Sequence, residues 1–301
     1  VTINGRFWGD HARQVLSRDP RTGRMHFRSD TDTYAVTLEA GQWLIAATEA
    51  YALGYAIDTV LDLREANGAK LAHNNDVHFS TYDSFLAYQA EKSGTYFLQV
   101  LAFHLQRATS NQKADLVLRD SAVYRLTLSH GPYAQYTYPA AVQRGKKTLL
   151  QVYGINLPSP TGVLIHEMDL FSRQLLAGHV LVTTPSFENQ LRLEIVGDST
   201  IQENEPNDQR DLAQPVSMPV AVNGRINRPG DKDYFAFIAQ KDQQFTFLLS
   251  SSNYDYPLLC VLQIENQNGE KLVFNETMYS SPSLVWQAPD DGTFYLRASE
   301  L

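Results

Sequence analysis

The chain repeats itself. Residues 30–75 lie on residues 231–276 without a gap, at a constant offset of 201. Asp30-Thr31-Asp32-Thr33-Tyr34-Ala35-Val36 falls on Asp231-Lys232-Asp233-Tyr234-Phe235-Ala236-Phe237, and Val60-Leu61-Asp62-Leu63 falls on Val261-Leu262-Gln263-Ile264. Asn67-Gly68-Ala69-Lys70-Leu71 matches Asn268-Gly269-Glu270-Lys271-Leu272, and Asn74 matches Asn275. After a three-residue deletion, Gly94-Thr95-Tyr96-Phe97-Leu98 matches Gly292-Thr293-Phe294-Tyr295-Leu296. Two stretches that agree at this spacing must share one fold, so the pattern predicts two copies of a single domain type.

The copies differ at their ends. Asn4-Gly5-Arg6 corresponds to Asn223-Gly224-Arg225, but the first copy then carries 18 additional residues before Asp30. The second copy has an acidic leader, Gln202-Glu203-Asn204-Glu205-Pro206-Asn207-Asp208, where the first has only Val1-Thr2-Ile3. The first copy runs on through Val123-Tyr124-Arg125-Leu126-Thr127-Leu128, and the second reaches Leu301 before any equivalent. The expectation is a segment of a longer protein, with its first copy truncated at the N-terminal side and its second at the C-terminal side.

Strand signals dominate between these landmarks. Runs of β-branched and aromatic residues recur about every ten positions between turn residues, with little sustained helical periodicity. They include 33–38, 43–48, 59–63, 96–101, 235–239, 245–249 and 293–298. Asn67-Gly68 and Asn268-Gly269 each stand between two such runs, where left-handed backbone closes a tight hairpin. The intervening stretch, about 131–198, has no counterpart in either copy, and its alternating strands with Gly and Pro turns suit a small immunoglobulin-like sandwich. The polar stretch 197–207 reads as the next boundary. The fold class is therefore all-β, with three consecutive β-sandwich domains at 1–130, 131–200 and 201–301, and an insertion at 7–29.

Charge and cysteine content narrow the function classes. A formal net charge of -8 argues against nucleic acid or an anionic membrane surface as a main partner, and favours a neutral or cationic one. No apolar run approaches the roughly 18 residues of a membrane span. Cys260 is the single cysteine, which excludes an internal disulfide and a thiolate metal cluster. Its setting, Leu258-Leu259-Cys260-Val261-Leu262, predicts a buried strand.

Glu203-Asn204-Glu205-Pro206-Asn207-Asp208, Val222-Asn223-Gly224-Arg225-Ile226, Gly230-Asp231-Lys232-Asp233-Tyr234-Phe235 and Asp291-Gly292-Thr293-Phe294-Tyr295-Leu296 together resemble the bacterial pre-peptidase C-terminal domain. The first copy resembles the same family through Asn4-Gly5-Arg6, Asp30-Thr31-Asp32, Asn67-Gly68 and Gly94-Thr95-Tyr96, and departs from it by the insertion and the missing leader. The middle segment resembles the immunoglobulin-like (IPT/TIG-like) domains through Pro139, Arg144-Gly145 and Gly154-Ile155-Asn156-Leu157. The resemblance implies jelly-roll-like sandwiches, flanking an immunoglobulin-like one, appended to exported proteases and other large secreted or surface bacterial proteins. Such modules are not catalysts. Some bind collagen or polysaccharide, and some bind calcium through the acidic leader and an Asp pair at the next turn.

That resemblance carries six calcium ligands onto this chain: Glu203, Glu205, Asn207, Asp208, Asp231 and Asp233. Calcium takes six to eight oxygen ligands, and these side chains supply carboxylates and an amide carbonyl. The competing reading makes 202–208 a solvated linker and has Asp231 and Asp233 accept hydrogen bonds from turn amides. Repulsion alone does not choose, because two carboxylates at i and i+2 on a strand lie about 7 Å apart and repel by roughly 0.6 kcal/mol in water-like dielectric. Strand parity says more. Asp231 and Asp233 share a face with Phe235 and Phe237, and Asp30 and Asp32 share one with Tyr34 and Val36. If the aromatic face is the inner one, the carboxylates sit at the mouth of the core, where they need a cation, an amide or an arginine.

Catalytic motifs are absent from the sequence. His166-Glu167 lacks the second histidine of a zinc-protease helix, and there is neither a Gly-x-Ser-x-Gly elbow nor a phosphate-binding glycine loop. His73 and His78 read as loop residues, and Asn275-Glu276-Thr277 fits a glycosylation sequon. The insertion at 7–29 gathers Arg13, Arg18, Arg21, Arg24 and Arg28 with Trp8, His11 and His26; it is either a recognition loop or a cap on a sheet edge. The sequence thus points to non-catalytic, secreted, periplasmic or cell-surface binding and spacer modules of a larger bacterial protein. Their expected partners are an extracellular polysaccharide or protein polymer and the parent chain's other domains, with no nucleic acid and no membrane span. The rival expectation is an ancillary substrate-targeting region of a secreted protease or glycosidase.

Overall fold

The computed structural model describes residues 1–7, 15–18, 25–27, 31–55, 57–77, 82–104, 123–170, 178–197, 199–250, 260–276 and 282–300. They form strands with one short 3-10 turn, Arg210–Leu212, so the all-β expectation holds. No helix among them is long and apolar enough to cross a membrane. The chain divides into two compact units, Val1–Tyr133 and Ala134–Leu301.

The first unit contains β1 (Thr2–Arg6), β2 (Val15–Arg18), β3 (Met25–Phe27), β4 (Thr31–Leu38), β5 (Trp43–Glu49), β6 (Ile57–Arg64), β7 (Lys70–Asn74), β8 (Phe85–Gln89), β9 (Gly94–His104) and β10 (Val123–Ser129). Two four-stranded antiparallel sheets, β1-β10-β5-β8 and β4-β9-β6-β7, share one apolar core. Alternation along β4 shows how: Val36 and Leu38 are buried while Thr33, Ala35 and Thr37 are exposed. Leu44, Leu61, Leu63, Leu98 and Leu126 close the interior at no more than 1% exposure, and each such side chain contributes about 1.5–3 kcal/mol of burial. Loops are fixed by buried polar groups. The Asp83 carboxylate accepts the backbone N–H groups of Ala50, Tyr51 and Ala52 at 2.5, 2.9 and 2.8 Å.

His73 lies on β7 rather than in a loop, and its Nδ1 sits 2.6 Å from Asp62 Oδ1. The reason is Asp62 itself, 4% exposed, a buried carboxylate that is stable only with partners. Arg64 and Lys70 join His73 around it, at 3.0 and 2.9 Å. His78 lies outside the described residues, as does most of the insertion at 7–29. Of the insertion, only Phe7 and the backbones of β2 and β3 are described, so Trp8, His11, Arg13, Arg21, Arg24 and Arg28, and the side chains of Arg18 and His26, fall outside.

The second unit holds two separate apolar cores. In the middle segment, β11 (Tyr133–Tyr138), β12 (Ala141–Gln143), β13 (Lys147–Ile155), β14 (Val163–Asp169), β15 (His179–Val182) and β16 (Leu191–Val196) form sheets β11-β13-β14 and β12-β16-β15. Leu150, Val152, Met168, Val182 and Leu193 fill the space between them. His166 and Glu167 lie on β14, a strand.

The second copy comprises β17 (Ser199–Gln202), β18 (Gln214–Pro215), β19 (Val220–Asn223), β20 (Lys232–Ala239), β21 (Gln244–Leu248), β22 (Cys260–Glu265), β23 (Lys271–Glu276), β24 (Ser283–Gln287) and β25 (Gly292–Glu300). Its main sheet runs β18-β20-β25-β22-β23. The order β20-β25-β22-β23 is that of β4-β9-β6-β7 in the first copy, and register follows the same offsets: Asp32 pairs with Val100, and Asp233 with Ala298. Both Asn-Gly pairs close hairpins, β6–β7 and β22–β23. Gly68 and Gly269 have φ of 88° and 82°, which a side chain would strain. Phe237 anchors the core, with the rings of Phe245, Phe247, Trp286 and Phe294 at 5.4–6.1 Å. Cys260 is buried in β22.

Candidate metal centre

The acidic leader is not a linker. β17 lies parallel to β19, with Gln202 opposite Asn223, and Glu203 N–H donates to the Asn223 carbonyl at 2.9 Å. Four residues on, the Asn207 carbonyl accepts Tyr234 N–H at 3.0 Å. The leader is thereby pinned across the start of β20, and Asn207 is fully buried. A turn closed by Asp231 N–H on the Arg228 carbonyl, 3.1 Å, feeds Asp231 and then Asp233 beneath it.

Along β20, Asp233, Phe235, Phe237 and Ala239 are all buried, so the aromatic face is the inner one and the carboxylate stands at the mouth of the core. Carboxylate oxygens of Glu205, Asp231 and Asp233 lie within 4.8 Å of one another, while Asp231 and Asp233 are 1% and 3% exposed. Glu203 approaches from the other side. A Cβ on Gly224 would meet Glu203 Oε2 at 2.9 Å and Asp233 Oδ2 at 3.8 Å, so only glycine leaves room for this packing.

Hydrogen bonds satisfy part of this cluster. Asp231 Oδ2 accepts Asn227 N–H at 2.6 Å, Glu205 Oε1 accepts Asn227 Nδ2 at 2.8 Å, and Glu205 Oε2 accepts Asn207 N–H at 3.1 Å. Asp208 turns to Arg228, at 2.6 Å, whose guanidinium holds its carboxyl below the usual carboxylate range. The turn-amide reading therefore fits Asp231. It does not fit the rest, because Asp233 Oδ1, Glu203 Oε2 and both side-chain polar atoms of Asn207 are buried without a hydrogen-bond partner. Burial, followed by the charges of Glu203, Asp231, Glu205 and Asp208, pushes Asp233 up to about 8. Burial likewise pushes Glu203 up to about 7.

Unpaired buried oxygens at this density are costly unless something positive joins them. The donor set is oxygen only, which suits a hard cation and not zinc or copper. Two oxygens bound to one calcium at about 2.4 Å each are at most about 4.8 Å apart, the limit within which Glu205, Asp231 and Asp233 gather. Glu203 Oε2, Asn207 Oδ1 and Asp233 Oδ1 are the atoms with free acceptor capacity.

The first copy answers the same demand differently. Asp32, at the position of Asp233, accepts the Tyr124 hydroxyl at 2.5 Å, and Tyr124 and Tyr34 hydroxyls lie 2.6 Å apart. Tyr124 is fully buried, and burial with the Asp32 bond raises its phenol far above the ordinary value. Gly5, the counterpart of Gly224, makes room: a Cβ there would lie 2.1 Å from the Tyr124 ring. Asp30 lies outside the described residues. Three participants escaped sequence reading: Gly224, Asn227 and Arg228. Gly224 alone left a signal, since it lies in the repeated Asn-Gly-Arg.

No family model matches the chain, and no curated protein matches it. Among solved structures it is similar to the M60 catalytic domain with the CBM51-1 and CBM51-2 domains from Clostridium perfringens ZmpB, at 9% identity and a TM-score of 0.19, over 92% of this chain and 33% of that one. It is also similar to the BSP domain of a biofilm associated protein, at 10% identity and a TM-score of 0.17, over 87% of this chain and 57% of that one. A third is the CUB1-EGF-CUB2 domain of human MASP-1/3, at 8% identity and a TM-score of 0.17, over 90% of this chain and 93% of that one. The chain thus spans about a third of the first and just over half of the second. Likenesses at TM-scores this low carry no argument about fold or function.

Proposed function

We propose that the second copy binds calcium through Glu203, Glu205, Asn207, Asp231 and Asp233, and that the chain serves as non-catalytic binding and spacing modules of a larger exported protein. The observation that carries the calcium reading is the convergence of buried acceptors that no hydrogen bond satisfies, Asp233 Oδ1 foremost. Asp208 stands at the rim, committed to Arg228. Calcium neutralises the carboxylates and orders the leader against β20. The wider role is supported by the all-β architecture and the acidic balance, which favour presenting a surface to a neutral or cationic extracellular polymer, whether polysaccharide or protein.

Titration calorimetry of chelator-treated protein with calcium tests the reading. Saturable heat at micromolar to millimolar calcium is expected, with loss in Glu205→Ala and in Asp231→Ala. Absence of heat in the parent protein refutes the calcium centre.

A further inference from the structure

Residues 223–225 face two ways. Asn223, 5% exposed, reaches into the middle segment: its Oδ1 accepts Ala140 and Ala141 N–H at 2.9 and 2.7 Å, and its Nδ2 donates to the Ala141 carbonyl at 3.0 Å. Its own carbonyl accepts the Tyr138 hydroxyl at 3.0 Å and, on the other side, Glu203 N–H. The Arg225 guanidinium lies 3.5 Å over the Tyr138 ring and donates to Gln151 Oε1 at 3.0 Å. Gly224, between them, packs directly on Glu203 Oε2. In the first copy Asn4, the counterpart of Asn223, is exposed.

We infer that the metal centre is also a clamp on the joint between the middle segment and the second copy, because Asn223 and Gly224 hold Glu203 while Asn223 and Arg225, in the same tripeptide, grip Tyr138, Ala140, Ala141 and Gln151. The inference rests on the calcium reading. Without a cation, Glu203 Oε2 and Asp233 Oδ1 stay unpaired, and the leader that carries Glu203 is held only by its backbone bonds. With a cation, Glu203 is drawn to Asp233, the β17–β19 pairing up to Asn223 is held in place, and the bonds from Asn223 and Arg225 act from a fixed base. The device couples ion occupancy to the stiffness of the joint.

The test is a distance measurement across the joint in the whole chain. Spin labels at Leu149→Cys on β13 and Ile238→Cys on β20, both exposed, in a Cys260→Ala background, report by pulsed electron resonance in chelator and in calcium. Calcium is expected to narrow the distance distribution by about half. Asn223→Ala and Arg225→Gln remove only side chains that reach the middle segment and keep the backbone carbonyl that holds Glu203, so calorimetry should still show calcium binding while the distribution stays broad. Calcium heat in the parent with no change in width overturns the clamp and leaves the calcium centre standing; no calcium heat overturns both. If the two joint variants narrow on calcium as much as the parent, the clamp is likewise overturned. The parent measurement decides even where a variant fails to fold.

Discussion

Replacing Asp233 with asparagine should change the stability of the second copy in opposite directions with and without calcium. Asp233 stands within 4.8 Å of two other carboxylates and is 3% exposed. At that separation each pair repels by about 0.9 kcal/mol in water-like dielectric and by about 3.5 kcal/mol at an effective dielectric of about 20. Near pH 9, above the values to which Asp233 and Glu203 are pushed, all the carboxylates are charged. The isosteric amide removes two of these repulsions, so even the weaker estimate gives about 2 kcal/mol, or a Tm higher by roughly 4–8 °C for the whole second unit, Ala134–Leu301. In calcium the sign reverses. At 100 times its Kd a ligand adds about 2.7 kcal/mol to a protein that binds only when folded, and Asp233→Asn forfeits most of that. Scanning calorimetry of both proteins in chelator and in calcium reads all four numbers. A variant that melts below the parent in chelator refutes the reasoning, because Asp233 would then be a needed hydrogen-bond acceptor and not a repelled charge.

Three further outcomes are expected. Tyr124→Phe deletes the hydroxyl bonded to Asp32 and should lower the stability of the first unit by about 1.5–3 kcal/mol, equally with and without calcium, as read by urea unfolding. Asp83→Ala leaves three backbone amides without their acceptor and should cost about 3–5 kcal/mol; hydrogen exchange at residues 50–52 would rise, and unchanged protection there would count against the role given to Asp83. Asp58, raised to about 6 by burial and by the neighbouring Asp76, holds its proton more tightly folded than unfolded. Stability should therefore fall as pH rises from about 4 to about 6 and level off beyond, and Asp58→Asn should flatten that slope in a series of urea midpoints.

Local pattern made much of this molecule legible. The all-β class, the two Asn-Gly hairpins and the buried Cys260 strand each depend on residues adjacent in sequence, where alternation and turn chemistry act directly. Parity alone placed Asp233 on the face of Phe235 and Phe237, which put the carboxylate at the core's mouth. What the pattern did not show depends on partners far along the chain. Tyr124 meets Asp32 across 92 positions, and Asn223 caps Ala140 across 83; neither pairing leaves a periodic trace. The leader reads equally well as a solvated linker because what pins it is distant: β17 pairs parallel with β19, and Asn207 bonds Tyr234 on β20, neither with a hairpin signal. His73 was misplaced for a related reason: its strand position is set by a buried Asp62 whose need for cations is invisible until the sheet is formed.

The pairing of β1 with β10 bears on how the first copy would meet mechanical load. The two strands are antiparallel neighbours, and Val1 and Leu128 exchange both of their backbone hydrogen bonds, at 2.7 and 2.8 Å. A pull applied between Val1 and Ser129 acts at one end of that ladder and opens it pair by pair, like a zip. In the second copy, β17 and β19 run parallel, so a pull between Ser199 and Asn223 drags the strands along each other and loads their hydrogen bonds together. The two copies thus present a peeling edge and a shearing edge, and under tension between these points the first is expected to part at lower force than the second.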